Sequence, residues 1–162
     1  MRLRTVFILA ALLVQAIPAA AQTRVPFGTN HDASAPVEIA ADRLSVDQAE
    51  GSAVFEGNVK VGQGTLRLEA DRITVRYADA AGAVDRMEAV GEVFLTNGSE
   101  AAEAGEATYD VTTGIVVMVT EVLLTQGPNA VSGDRLRIDL ETGQAIMEGR
   151  VRTILRTRND GG

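Results

Sequence analysis

The sequence predicts an all-β fold: a twisted, open β-jelly roll, or solenoid-like roll, of about sixteen short antiparallel strands. Three observations predict it. A unit of roughly thirty residues recurs four times. Within each unit apolar and polar residues alternate. The phase of that alternation slips once per unit, at the same motif.

The chain begins with an element that is not part of the fold. Arg2 and Arg4 precede an apolar run from Val6 to Ile17, and Pro18-Ala19-Ala20-Ala21 follows. That is the layout of a cleavable export signal, with the cut expected after Ala21. The run is short for a membrane span, so release into the periplasm is expected. Residues 22–35 show no periodicity and are expected to form a flexible leader. The repeats fill residues 36–155, one domain's length, and 156–162 form a polar tail.

Each unit has two halves. The first reads Ala41-Asp42-Arg43-Leu44-Ser45-Val46-Asp47 and returns at Ala70-Asp71-Arg72-Ile73 and Gly133-Asp134-Arg135-Leu136. A weaker copy starts at Ala104-Gly105-Glu106. The second half reads Phe55-Glu56-Gly57-Asn58-Val59 and returns around Gly91, Thr120 and Gly149. These anchors, with Gly57, stand 34, 29 and 29 residues apart. Stacked on them, one parity carries Ala53, Phe55, Val59 and Val61; Met87, Ala89, Val93 and Leu95; Val116, Met118, Val122 and Leu124; and Ala145, Met147 and Val151. The other parity carries Glu56, Asn58, Lys60, Glu88, Glu92, Glu121, Glu148, Arg150 and Arg152. A period of two belongs to a half-buried strand, with the first set facing inward.

In the first halves the inward parity changes at the Ala-Asp pair. Leu66, Leu68 and Ala70 give way to Ile73, Val75 and Tyr77, and Val131 and Gly133 to Leu136, Ile138 and Leu140. A one-residue slip at a fixed place predicts a bulge or sharp corner, with Asp42, Asp71 and Asp134 able to cap a local turn. Three copies in equivalent places read as three equal corners rather than as a carboxylate site. Gly57, Gly91 and Gly149 mark a bend or a place with no room for a side chain. Hairpin loops ending at Gly51, Gly82, Gly114 and Gly143 join the halves, and Gly62-Gln63-Gly64, Asn97-Gly98 and Gly127-Pro128-Asn129 join the units.

Composition removes most chemistry. Without Cys there is no thiol catalysis, disulfide or thiolate-bound zinc, and the single His31 lies in the expected leader. Ser and Thr have no His partner and no phosphate-binding loop is present, so no catalytic residue, metal or cofactor is expected. The net charge of −7 becomes −9 on loss of Arg2 and Arg4, and aromatic residues are few. No nucleic-acid binding is expected. Residues 79–121 hold nine acids and one Arg, whereas 130–162 hold six Arg and five acids. Stacked repeats leave an exposed strand edge at each end, ready to pair with another copy. The pairing candidates are Val37 and Ile39 at the front and Arg150, Arg152, Ile154 and Arg156 at the back.

The repeated Ala-Asp-x-[Leu/Ile]-x-Val, the Phe55 to Val61 stretch and the Gly133 to Asp139 stretch resemble the OstA-like domain family of periplasmic lipopolysaccharide-transport proteins, over about Pro36 to Leu155. Unit three departs from the pattern, with Gly105 and Thr120 in place of the Asp and Gly. The resemblance implies a V-shaped jelly roll whose copies join head to tail. They bridge an inner-membrane LptC-like partner and an outer-membrane LptD-like partner. It also implies lipopolysaccharide as ligand, the lipid A acyl chains lying in an apolar groove. On parity that role falls to Leu44, Phe55, Val59, Ile73, Val93, Met118, Val122, Leu136, Ile138 and Met147. A buried methylene contributes about 0.8 kcal/mol, so one ~12-carbon chain supplies ~10 kcal/mol. The alternatives are a membrane-anchored LptC-like partner and a self-assembling β-scaffold without cargo.

Overall fold

The computed structural model describes residues 23–27, 32, 34–78 and 82–156. The export signal with its cleavage site, His31, the Asp79-Ala80-Ala81 part of one hairpin loop and residues 157–162 of the tail lie outside the described residues.

Among the described residues eleven strands form one sheet: β1 (Thr23–Pro26), β2 (Glu38–Ala40), β3 (Arg43–Asp47), β4 (Ser52–Gln63), β5 (Leu66–Tyr77), β6 (Val84–Thr96), β7 (Glu100–Asp110), β8 (Ile115–Gln126), β9 (Asn129–Asp139), β10 (Gln144–Glu148) and β11 (Arg152–Ile154). The order is β1-β10-β9-β8-β7-β6-β5-β4-β2, with β3 also on β4 and β11 also on β9. All pairs are antiparallel. About sixteen short strands were expected, one break at every corner. Instead β4 to β9 run through their corners unbroken, and only β2/β3 and β10/β11 are interrupted there.

The reason lies in how the corner is built. From Glu56 to Val59 on β4 the chain takes three steps, while the facing β5 takes two, from Arg72 to Ala70. The same excess recurs at Val90/Val93 of β6 and Val119/Val122 of β8. Two successive left-handed residues absorb it each time: Gly57 and Asn58 (φ 78° and 47°), Gly91 and Glu92 (84° and 44°), Thr120 and Glu121 (71° and 55°), and Gly149 and Arg150 (75° and 46°). A bulge of this kind bends a strand and keeps it in the ladder.

The bulges share one line across the sheet and fold it into two limbs. Limb A holds β2, the parts of β4 to β9 nearest the turns at 64, 98 and 127, and β11. Limb B holds β3, the other parts of β4 to β9, β10 and β1. Residues line up in rows across each limb. Leu44, Phe55, Ile73, Ala89, Ala107, Met118, Leu136 and Met147 form one inner row of limb B. Val46, Ala53, Val75, Met87, Tyr109, Val116, Ile138 and Ala145 form the next. In limb A, beside the corner, Val59, Val93 and Val122 face Ala70, Ala104 and Gly133. Large residues come from second halves and small ones from first halves, which lets the limbs meet closely at the bend. Gly133 must be the smallest of all, because a β-carbon there would lie 2.7 Å from Met147 Cγ. Both limbs bury these rows in one core, from Leu68, Leu95 and Leu124 to Ile73, Met118 and Leu136.

The hairpin turns are held by their own carboxylates. Asp47 Oδ1 accepts from the Ala49 and Glu50 amides, Asp110 Oδ1 from Thr113, and Asp139 Oδ1 from Glu141 and Thr142, at 2.9–3.1 Å. Gly51, Gly114 and Gly143 close those turns with φ of 59°, 67° and 67°.

One expectation is overturned at the N-terminal side. Residues 22–35 are not wholly a flexible leader, because β1 pairs with β10 in the register Thr23↔Met147 to Pro26↔Gln144. Phe27 is buried in the core, and its amide donates to Gly143 O at 2.7 Å. A strand edge plus one large apolar side chain is enough to fasten a segment that has no periodicity of its own.

Candidate functional site

The site starts at the corners, which set the angle between the limbs. Asp42 and Asp134 do not cap turns in their own strand. Their carboxylates lie across the neighbouring strand over Gly57 and Gly149, and Asp71 lies over Gly91 in the same way. The Asp42 and Asp134 amides donate to Gly57 O and Gly149 O, each at 3.0 Å. A β-carbon on Gly57 would come within 2.6 Å of Asp42 Oδ2, so Gly is required for space as well as for its positive φ. The next residue then ties the carboxylate. Asn58 Nδ2 donates to Asp42 Oδ2 at 2.8 Å, and Arg150 Nε and Nη2 donate to Asp134 Oδ1 at 3.0 and 2.7 Å. This fork holds the Asp134 carboxyl below the usual carboxylate range and raises the Arg150 guanidinium.

Unit three carries the inverse arrangement. Gly105 occupies the Asp position and Thr120 the Gly position, and a β-carbon on Gly105 would lie 2.9 Å from Thr120 Cγ2. Each corner has room for one side chain, supplied by either strand. The departure from the repeat is therefore a compensated exchange. Its cost is a β-branched residue at φ 71°, a conformation such residues rarely adopt.

Between the limbs the surface is almost wholly apolar. Val59, Ile73, Val93, Met118, Val122, Leu136, Ile138 and Met147 are all buried there. Phe55 is half-buried at the front of its row. Leu44 does not join this enclosed set: it is 54% exposed, and Val46 beside it 62%. Parity gives these two the inward face, but β3 is the last strand of limb B at that end. Nothing within the described chain covers them. At the opposite end of the same row Met147 of β10 is 0% exposed, with β1 paired along the far edge of its strand.

The closed interior is nearly full. Val37, Val61, Leu66, Leu68 and Leu95 of limb A face Met87, Ala107, Tyr109 and Val116 of limb B around a cavity of about 20 Å³, room for about one water. One polar pair bridges the limbs beside it. Tyr109 Oη donates to Gln63 Oε1 over a long 3.4 Å, and Gln63 Nε2 donates to Ala35 O at 3.2 Å. Both side chains are buried, and burial, then the charge of Asp110, pushes the Tyr109 phenol up. Gln63 had read as part of a turn, and no sequence signal marked it as the partner. A wider groove of about 650 Å³ opens at the front of limb A, where Pro36, Ile39, Val61 and Leu68 adjoin Lys60 and Arg67.

The outer face is a ladder of opposite charges. Arg72 bridges Glu56 at 3.2 Å, Arg76 meets Glu88, Arg86 meets Asp110 and Arg135 meets Glu148 at 3.7–3.9 Å. Exposed pairs of this kind contribute little stability but fix strand register. Among the described residues no group of three or more His, Cys, Asp or Glu is placed to hold a metal ion.

The pairing candidates divide. Ile39 is the middle of edge strand β2, and Val37 packs partly on the core. Arg152 and Ile154 lie on edge strand β11, with Ile154 65% exposed. Arg150 is not on the last strand but in the corner before it, engaged by Asp134. Arg156 follows β11, and its amide donates to Asn129 Oδ1 at 3.2 Å.

The chain is similar to LptH from Pseudomonas aeruginosa, described as the LptA-homologous periplasmic component of the conserved lipopolysaccharide transport device. The TM-score is 0.71 at 19% identity, over 78% of this chain and 99% of that one. At that identity the likeness shows the fold: an open antiparallel sheet rolled as an LptA-like β-jelly roll. The chain is also 32% identical over 116 residues to an uncharacterized protein of Rhizobium meliloti (strain 1021), a match spanning 67% of this chain and 62% of that relative's length. Residues 38–144 match the family described as LptA/(LptD N-terminal domain) LPS transport protein, a family of transport proteins and not of enzymes. With two-thirds of its length so matched, the chain belongs to the LptA/(LptD N-terminal domain) LPS transport protein family.

Proposed function

We propose that this protein is a periplasmic carrier in a bridge that moves lipopolysaccharide from the inner to the outer membrane. The lipid A acyl chains lie against the inner rows of the two limbs, and the sugars remain in water. Copies join head to tail through their edge strands, with LptC-like and LptD-like proteins of the same fold at the two ends. The observation that carries this reading is the inner face itself. Its rows are apolar from strand to strand and end, at β3, in exposed Leu44 and Val46. A structural core has no need to run out to an open edge, whereas a path for acyl chains through successive copies does.

The ~20 Å³ cavity adds a requirement. Acyl chains enter only when the limbs part, and the Gln63–Tyr109 contact is the polar link that must break first. The same filled interior favours the second reading, a cargo-free scaffold. Photo-crosslinking separates the two. A crosslinking residue at Phe55, half-buried in the inner row, and one at Val54, on the outer face of the same strand, are irradiated in intact cells. The carrier predicts lipopolysaccharide adducts at 55 and not at 54. Protein adducts alone at 55, in a folded variant, would leave the scaffold standing.

A further inference from the structure

The rear edge of limb B holds a strand that does not belong to the repeat. Four units supply alternating strand directions from β3 to β10, so the next strand in the series would run antiparallel to β10, as β3 does to β4. That place is filled by β1. By repeat position Ala53 and Phe55 of β4 correspond to Ala145 and Met147 of β10. On β4 they pair with Val46 and Leu44; on β10 they pair with Val25 and Thr23. Thus β1 sits on the rear edge of β10 at the place β5 takes on β4, where Ala53 and Phe55 pair with Val75 and Ile73, the repeat counterparts of Val46 and Leu44.

We propose that the outer edge of β10 is the docking site for β3 of a second copy, and that β1 occupies it in cis until displaced. Two features fit that occupant. Leu44 and Val46 of the incoming β3 are exposed in the single chain, and they would fall opposite Met147 and Ala145. Arg43, which stands opposite Glu56 at the front, would stand opposite Glu148 at the rear. The described pairing of β1 runs from Met147 to Gln144, so Arg43 of the incoming strand would extend the ladder by one position, with opposite charges facing each other there. At the rear of limb A, by contrast, β11 is the last strand and its Ile154 is exposed. A second copy therefore adds first on limb A, and displacement of β1 completes the joint on limb B. This rests on the head-to-tail part of the function proposed above and adds a switch to it.

The test uses the exported protein and a fluorescent peptide copying residues 41–49. The chain has no Cys, so Val25→Cys with Ala145→Cys ties β1 in place when oxidised and frees it when reduced. The reduced protein is expected to bind the peptide at least about tenfold more tightly than the oxidised form, and Val25→Asp more tightly again. Sedimentation should show longer assemblies in the same order. Equal binding by the tied and freed forms would overturn the proposal, as would no binding by Val25→Asp at about 1 mM peptide. Adducts at Phe55, measured on the same variants, report the lipid reading separately. Their survival alongside a failed peptide test would discard the switch and keep the carrier.

Discussion

Limb B has the same inner row at both ends and two different terminations. At the front, Leu44 ends the row on an uncovered strand and is more than half exposed. At the rear, Met147 ends the repeat, yet β1 and Phe27 close over that side and Met147 is fully buried. Pattern and parity are alike at the two ends. What differs is whether another strand lies beyond. Burial in a stacked-repeat fold is therefore a property of the neighbour, and one open end with one covered end gives the molecule a direction along the stack.

The largest expected effect lies at the covered end. Phe27→Ala should lower the unfolding free energy by about 3–5 kcal/mol, because a full aromatic side chain leaves a packed site. A loss below about 1 kcal/mol in denaturant titration would mean that β1 adds nothing to the rear edge. Next is a matched pair from one row. Met147→Ala should cost about 2–5 kcal/mol and Leu44→Ala less than about 1 kcal/mol. Equal losses would erase the distinction between the ends.

The corner at Gly149 sharpens the comparison. Gly149→Ala should cost about 1–3 kcal/mol, since φ is 75° and the methyl meets the Asp134 carboxylate. Asp134→Gly in the same chain should restore part of that loss, as the Gly105–Thr120 corner does naturally. No rescue in a double-mutant cycle would refute the one-side-chain account of the corner. The smallest effect is on pH. The Thr113 amide and hydroxyl hold the Asp110 carboxyl low, and the Thr142 amide does so for Asp139. A folded pKa below the unfolded one, about 3.9, means that these turns contribute fully above it and lose their contribution as pH falls through the folded values. Asp139→Asn should lower stability slightly at neutral pH and flatten the profile through that acid window, leaving stability below the window nearly unchanged.

The fourfold repeat, the inward parity and the place of the corner were all legible, because alternation and phase slip are one-dimensional records of a strand's two faces. Leu44 shows the limit: parity names a face and is silent about the strand that would cover it. The run from Thr23 to Pro26 was read as leader because four residues cannot display a period. The pairing of Asp42, Asp71 and Asp134 with the glycines of the next half-unit was present in the letters as the Gly105–Thr120 inversion. Reading it required knowing that the two positions touch. The corners were expected to cut the strands, but a two-residue bulge bends a ladder without ending it. No pattern announced the Gln63–Tyr109 contact, since it joins strands that are not neighbours in the sheet.

The central claim is that the limbs part to take apolar chains into a core that is nearly full when closed. Spin labels at Ser99→Cys on a limb A turn and Thr112→Cys on a limb B turn read the separation of the limbs directly, in a chain with no other Cys. Added lipopolysaccharide should lengthen and broaden the measured distance, and Tyr109→Phe should lower the lipid concentration at which this happens. An unchanged distance in protein shown to carry bound lipid would contradict the account and move the lipid to the outer surface.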